Sequence, residues 1–383
     1  MRVTERQQAE VVLRTIENLR SGIATGSEQI ASGKRVNRPS DDPASAERIN
    51  QFRNVLRTTE RRLQTVNEGV GRLDLSDQVL GQAGNTFQRA AELAVGARND
   101  TNTAVERRNI AQEVQQLILG LTGIANTQLN GRFVFAGNET QTEPYVLGTA
   151  TGSVGTANTG GATIAASVAT ASALQPDGYQ IQFTSPTQFD IVNLTTSQTV
   201  SIGNSYTSGA TFSFDGLDVA ITNGGGPPAS GDQFNVRVGY AYQGDGAALD
   251  VEIGDGQTVQ VNIPGSQVFS GPTTNLFENL QDFHQALVTN DVDGIDTAIG
   301  QFTESLSQVN NARATIGANG NRLTTIKDSL DLLTVNTQAL RSDFEDADFA
   351  KVASDLASLQ STLEASLATL NRQFETSLLN FIR

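Results

Sequence analysis

The sequence predicts a mainly α fold with an inserted β domain: long antiparallel, coiled-coil helices from both chain ends, and a β-rich outer domain between them. Three observations carry this. Near the start, Ile16, Leu19, Ile23 and Ile30 fall on a three-and-four spacing, with the small Gly26 in the gap. At the finish, Val352, Leu356, Leu359, Leu363, Leu367, Leu370, Phe374, Leu378 and Phe381 do the same. Between the ends lie short alternating segments separated by Gly, Pro and Asn clusters. A narrow apolar stripe suits a partner helix rather than a broad globular core. Seams at both termini therefore predict a protein that joins its ends and assembles through them.

The elements follow in order. Helix is expected from Met1 to about Asn130, with two breaks. The first is Ser32-Gly33-Lys34-Arg35-Val36-Asn37-Arg38-Pro39-Ser40-Asp41-Asp42-Pro43, where Gly33 and two prolines stop one helix. Asp42 as N-cap and Pro43 in the first turn start the next. That helix carries Leu63, Val66, Val70, Leu73, Leu80 and Phe87 on a heptad track interrupted by Asp77 and Gly84. The second break is Asn99-Asp100-Thr101-Asn102, after which Thr103 and Glu106 form a capping box for a helix to about Leu129.

Strand signals begin at Arg132-Phe133-Val134-Phe135 and Tyr145-Val146. Residues 148–173 are low in complexity and read as loop or weak β edge. Alternation at Ile181-Gln182-Phe183, Phe189-Asp190-Ile191-Val192, Thr211-Phe212-Ser213-Phe214 and Phe234-Asn235-Val236-Arg237-Val238 predicts a small antiparallel domain. A separate hairpin is expected around Gly254-Asp255-Gly256. Helix returns from about Thr274, with Phe302, Val309, Ala312, Ile316, Leu323, Ile326, Leu330, Leu333, Leu340 and Phe344 on one track and Ser305, Asn319 and Thr337 interrupting it. Packing this track along the outgoing helices is the simplest topology. The expected layers are 1–42 with 346–383, 43–147 with 240–345, and an outer β domain at 148–239.

Composition narrows the function classes. Net charge is −15, and lysine occurs only at Lys34, Lys327 and Lys351. No basic stripe exists to neutralise phosphates, so neither nucleic acid nor an anionic membrane surface is an expected partner. No cysteine and one histidine, His284, leave no thiolate or histidine-rich metal site, and no cofactor is expected. The opening residues lack the apolar core of a secretory signal, and no run of about 18 apolar residues offers a membrane span. Export, if any, is expected to use a route without a cleaved signal.

The run Ile30-Ala31-Ser32-Gly33-Lys34-Arg35-Val36-Asn37-Arg38-Pro39-Ser40-Asp41-Asp42-Pro43-Ala44 resembles the first signature of the flagellin superfamily. The run Arg341-Ser342-Asp343-Phe344-Glu345-Asp346-Ala347-Asp348-Phe349-Ala350 resembles its second. The opening Arg2-Val3-Thr4 and the segment Asn130-Gly131-Arg132-Phe133-Val134-Phe135-Ala136-Gly137 are similar to the superfamily's hook–filament junction group, hook-associated protein 3. The resemblance implies a structural, non-enzymatic part of the bacterial flagellum. It implies self-assembly of the terminal helices into a ring between hook-associated protein 1 and flagellin, and an export chaperone on the C-terminal helix. The alternative is a flagellin that forms the filament itself.

The expected assembly interface is Ile16, Leu19, Ile23, Ile30, Leu356, Leu359, Leu363, Leu370, Phe374 and Leu378. The expected inter-domain loop residues are Lys34, Arg35, Asn37, Asp41, Asp42 and Pro43. In that loop the acids read as a cap and as partners for Lys34, Arg35 and Arg38, not as acid–base catalysts. Asp343, Glu345, Asp346 and Asp348 lack calcium-loop spacing and read as a solvated helix junction. His284 receives no role.

Overall fold

The computed structural model describes residues 2–381 other than 100, 255 and 272, and the side chains of 2–6, 8, 9 and 373–381 lie outside that description. The chain forms two compact units, one from Met1–Gln64 with Lys327–Arg383 and the other from Thr65–Ile326.

Local chemistry sets the helix limits. Helix α1 (Arg2–Ser32) ends where Gly33 adopts φ +70°, a conformation that glycine takes without a steric penalty. Helix α2 (Pro43–Ala97) starts on a proline, whose missing N–H matters little because first-turn amides have no helical acceptor. Asp42 Oδ1 instead accepts the Ser45 N–H at 3.1 Å. Helix α3 (Ala104–Ala125) opens on the expected capping box: Thr103 Oγ1 accepts from Glu106 N at 3.3 Å, and Glu106 Oε2 accepts from Thr103 N at 2.7 Å. Replacing Thr103 with alanine is expected to destabilise by about 1 kcal/mol, read as a lower denaturant midpoint for the full chain.

Helix α3 stops short of Leu129. The Asn126 carboxamide exchanges two hydrogen bonds with the Tyr145 backbone, at 2.8 and 2.9 Å, and turns the chain there. Strands β1 (Gln128–Leu129) and β2 (Arg132–Phe133) then pair through Asn130-Gly131, with φ of 52° and 75°. Positive φ at both turn positions is what a two-residue hairpin needs, and this Asn-Gly signal was readable in the sequence.

The β domain comprises β3 (Tyr145–Val154), β4 (Ala162–Val168), β5 (Gly178–Ser185), β6 (Gln188–Asn193), β7 (Gln198–Ser205), β8 (Thr211–Phe214), β9 (Leu217–Asn223) and β10 (Gln233–Tyr242). They form antiparallel sheets of order β3-β10-β5-β6-β7 and β4-β9-β8. Tyr179, Ile181, Phe183, Phe189, Ile191, Leu217, Val219, Ile221, Phe234, Val236 and Val238 all point into one shared core. The alternation of these residues specifies which face of each strand is buried. The low-complexity stretch 148–173 supplies most of β3 and all of β4, each an edge strand of its sheet. Small Gly, Ala, Thr and Ser side chains hide strand character, but an edge strand needs only one hydrogen-bonded neighbour.

Strands β11 (Asp250–Gly254) and β12 (Gln257–Gln260) form the separate hairpin, with Asp255 at its tip outside the described residues. A short α4 (Gly265–Val268) precedes α5 (Leu276–Thr289) and α6 (Val292–Glu345). The returning helix is therefore two helices, because Asn290 takes the left-handed conformation at φ 55° and caps α5. Helix α7 (Phe349–Phe381) completes the chain.

Within the Thr65–Ile326 unit, α2 and α6 run antiparallel side by side. Phe87 meets Phe302 with ring centroids 5.9 Å apart, and Phe283 meets Phe302 edge-on at 5.3 Å. Asp77, the interruption of the α2 track, accepts two hydrogen bonds from the Arg313 guanidinium at 2.8 and 3.1 Å. Ser305, an interruption of the α6 track, is buried and donates back to Gln301 O at 2.8 Å.

The buried His284 imidazole lies in this unit, and burial pushes its pKa down to about 4 against an opposing pull from Asp177. The unfolded chain therefore binds a proton that the folded chain refuses between about pH 6.5 and about pH 4, so stability falls as pH falls through that window. The expected loss is about 3 kcal/mol in all. Denaturant unfolding across that range checks it: His284→Gln is expected to flatten the slope, and an equally steep slope in the variant would refute the assignment.

Candidate assembly site

In the unit built from both chain ends, α1 and α7 lie antiparallel. Leu359 Cδ1 comes within 3.3 Å of where a Cβ on Gly22 would stand, and Leu356 Cδ1 within 3.4 Å of the same point on Gly26. Two glycines four residues apart thus open a shallow groove on α1 into which two leucines of α7 fit. Among the expected interface residues, Ile16 is buried at 7% exposure. Leu19, Ile23, Ile30, Leu356, Leu359, Leu363 and Leu370 are only half-covered. The side chains of Phe374 and Leu378 lie outside the described residues.

The α6 track behaves differently here from its course in the other unit. Leu330 and Thr337 are buried, whereas Leu333 and Leu340, expected on the same seam, are 43% and 48% exposed. Leu332 and Val335 on α6 are also exposed, and so are Val11 and Leu13 on α1 and Phe349 and Leu367 on α7. Inside one chain only one row of the α6 heptad finds cover. The second row faces outward.

The loop between α1 and α2 folds against the α6–α7 junction, bringing together the two signature runs from opposite ends of the sequence. Lys34 and Asp346 form an antiparallel bridge. Arg35 N donates to Glu345 O at 2.7 Å, and Ala347 N donates to Gly33 O at 3.0 Å. The Arg35 guanidinium reaches Asp42 at 3.1 Å, Ser45 Oγ at 3.1 Å and Phe344 O at 2.9 Å. Asp41 Oδ2 accepts the backbone N–H groups of Asn37 and Arg38 at 3.0 and 2.8 Å. Asn37 Nδ2 donates to Lys34 O at 3.4 Å, and Pro43 begins α2.

Only Arg35 makes the anticipated ion pair within the loop; Lys34 goes to Glu345 and Arg38 to Glu28. Hydrogen bonds from the Ser45 side chain and backbone, then Arg35, hold Asp42 down at about 2. Its contribution is complete above the ordinary carboxylate range and is lost as pH falls toward that value.

Glu345 is where the structure corrects the reading of a solvated junction. Its side chain is 4% exposed, with Lys34 at 2.6 Å, Arg53 at 2.7 Å and Arg341 at 3.3 Å. Burial alone would raise its pKa, but hydrogen bonds from Lys34 and Arg53 outweigh that and hold it lowered. Arg53, Arg341 and the buried Val36 belong to the same site. Nothing local in the sequence joins these cations; the only trace is the four-residue spacing of Arg341 and Glu345.

Among the described residues no cluster of three His, Cys, Asp or Glu could hold a metal ion, and no helix is long and apolar enough to cross a membrane. The fold defines a class: chains whose two ends pair as one helical arm and whose middle carries an antiparallel β domain. The family described as the bacterial flagellin N-terminal helical region matches residues 3–140, and the one described as its C-terminal helical region matches residues 299–382. The chain belongs to the flagellin superfamily, structural proteins of the bacterial flagellum. Residues 154–238 match a D2-like domain of flagellar hook-associated protein 1.

Polar flagellin C of Vibrio parahaemolyticus is 23% identical, over 96% of this chain and 95% of its own length. Flagellar hook-associated protein 3 of Escherichia coli is 33% identical over 38% of this chain, which spans 46% of that relative. The fold is shared with a structure described as a flagellar hook-associated protein from Vibrio parahaemolyticus, with a TM-score of 0.52, 12% identity, and coverage of 80% of this chain and 100% of that one.

Proposed function

We propose that this protein is a hook–filament junction subunit of the hook-associated protein 3 kind. Copies assemble through their terminal helices into a ring between hook-associated protein 1 and the first flagellin subunits. The observation that carries the reading is the uncovered second heptad row, with Leu333 and Leu340 exposed on α6 and further exposed apolar residues on α1 and α7. Burying a leucine is worth roughly 1.5–3 kcal/mol, so a row of them favours a neighbouring copy over water. The likeness to hook-associated protein 3 of Escherichia coli supports the junction. In this reading the loop of Lys34, Arg35, Asn37, Asp41, Asp42 and Pro43 sets the angle between an inner layer (1–42 with 346–383) and a helical layer (43–147 with 240–345), with 148–239 projecting outward. The chain is exported to the flagellum, its C-terminal seam masked by an export chaperone until assembly.

A second reading, a filament-forming flagellin, is favoured by the end-to-end alignment with polar flagellin C. Immunogold electron microscopy of intact flagella with an antibody against residues 180–238 separates the two. A single band just beyond the hook supports the junction subunit. Label along the whole filament supports the flagellin, and no label on any flagellum refutes both.

A further inference from the structure

The geometry points to a ligand site in the Thr65–Ile326 unit, between α3, α5 and the β6–β7 loop, that takes a neutral, hydroxyl-rich molecule of monosaccharide size. Two buried polar residues one turn apart on α5 begin the argument. Gln281 is 8% exposed, and its Nε2 donates to Val238 O at 2.7 Å, which fixes the amide and leaves Oε1 buried without a partner. His284 is 7% exposed. Both line an inner cavity of about 20 Å³, room for one hydroxyl group.

The same His284 ring, with Gln115 and Leu194, also lines an outer cleft of about 460 Å³, within the range of small-molecule sites. An orphan acceptor at the inner end needs a donor, which excludes an anion there. Among the described residues lining the outer cleft, Arg108 is the one charged side chain and no acid accompanies it, so a cation is disfavoured. Asp177 on the inner cavity already accepts from Asn193 Nδ2 at 2.7 Å, and Arg237, also on that cavity, is paired with Asp282. A neutral imidazole both gives and takes a hydrogen bond, as a hydroxyl does. The cleft wall offers the same dual capacity at Gln112, Gln116, Thr195 and Ser197. A ring carrying several hydroxyls matches that wall, with one hydroxyl directed inward to Gln281 and His284.

His284 is the chain's single histidine, so ¹⁵N-histidine labelling of the full-length protein gives an unambiguous probe. Titration with glucose, galactose and N-acetylglucosamine is expected to move the imidazole resonances saturably with at least one sugar. Gln281→Leu is expected to abolish the shift. Gln112→Ala, on the exposed rim and no threat to folding, is expected to weaken binding roughly tenfold. No saturable shift with any sugar would reduce the inner cavity to a water site and overturn the proposal. A stronger response to acetate or methylammonium would overturn its chemical class, and an unchanged affinity in Gln112→Ala would overturn its location.

Discussion

Replacing Leu356 and Leu359 together with aspartate is expected to abolish incorporation into the flagellum while leaving the Thr65–Ile326 unit folded. The two leucines seat against Gly26 and Gly22, with no Cβ between helix backbone and methyl groups. A carboxylate at either place loses the methyl contacts with the glycine groove, and wherever assembly buries it unpaired the cost is several kcal/mol. Two such charges on adjacent turns exceed what one pair of half-covered helices can offset. Immunogold labelling of a strain carrying the variant reads incorporation. Circular dichroism and thermal unfolding of the purified chain are expected to retain the β signal and its transition. Normal incorporation would mean that the α1–α7 pairing is not what assembly uses.

Glu345→Lys is expected to be the most damaging single substitution in the loop–junction site. Glu345 is enclosed, and Lys34, Arg53 and Arg341 all converge on it. The change removes the one buried acid and puts a fourth cation among three. Breaking a buried ion pair from one side costs about 3–5 kcal/mol, although half-exposed cations can turn toward water and recover part of it. Glu345→Gln, which keeps an acceptor, is expected to lose clearly less. Amide hydrogen exchange provides the local reading, because Arg35 N donates to Glu345 O and Ala347 N to Gly33 O. Both amides are expected to lose protection in the lysine variant. Unchanged protection would show that backbone pairing holds the junction without the charges.

How much of this was legible varied with the range of the interaction. The stop at Gly33, the start at Pro43 and the Thr103–Glu106 box were read correctly because each is decided by neighbours within four residues. The alternation in β5, β6, β8 and β10 was equally plain, since a strand with one buried face must repeat every second residue. By contrast, β3 and β4 were obscured, because Gly, Ala, Thr and Ser carry little pattern and their pairing depends on β10 and β9 from a distant part of the chain. The split at Asn290 was also missed. Asparagine tolerates the left-handed conformation, but only the packed structure selects it over a continuing helix.

The candidate site divides along the same line. Heptad spacing identified Ile16, Leu356 and Leu359 as one seam, yet it placed Leu333 and Leu340 on the same footing as Leu330. Periodicity says which residues share a face and is silent on how much of that face a single chain can cover. Charge likewise labelled Glu345 an exposed acid, when the fold delivers three cations to it and closes water out.

By itself, then, the sequence determined the helical arms, the breaks at Gly33–Pro43 and before Thr103, the inserted β domain and the family, because short-range sterics, capping and periodicity are properties of neighbouring residues. Tertiary structure alone decided that the two signature runs meet, that Glu345 lies buried at their meeting point, and that one heptad row stays uncovered. Those outcomes depend on which distant segments share a surface, and burial reverses the preference of a charge or a leucine that the local sequence suggests.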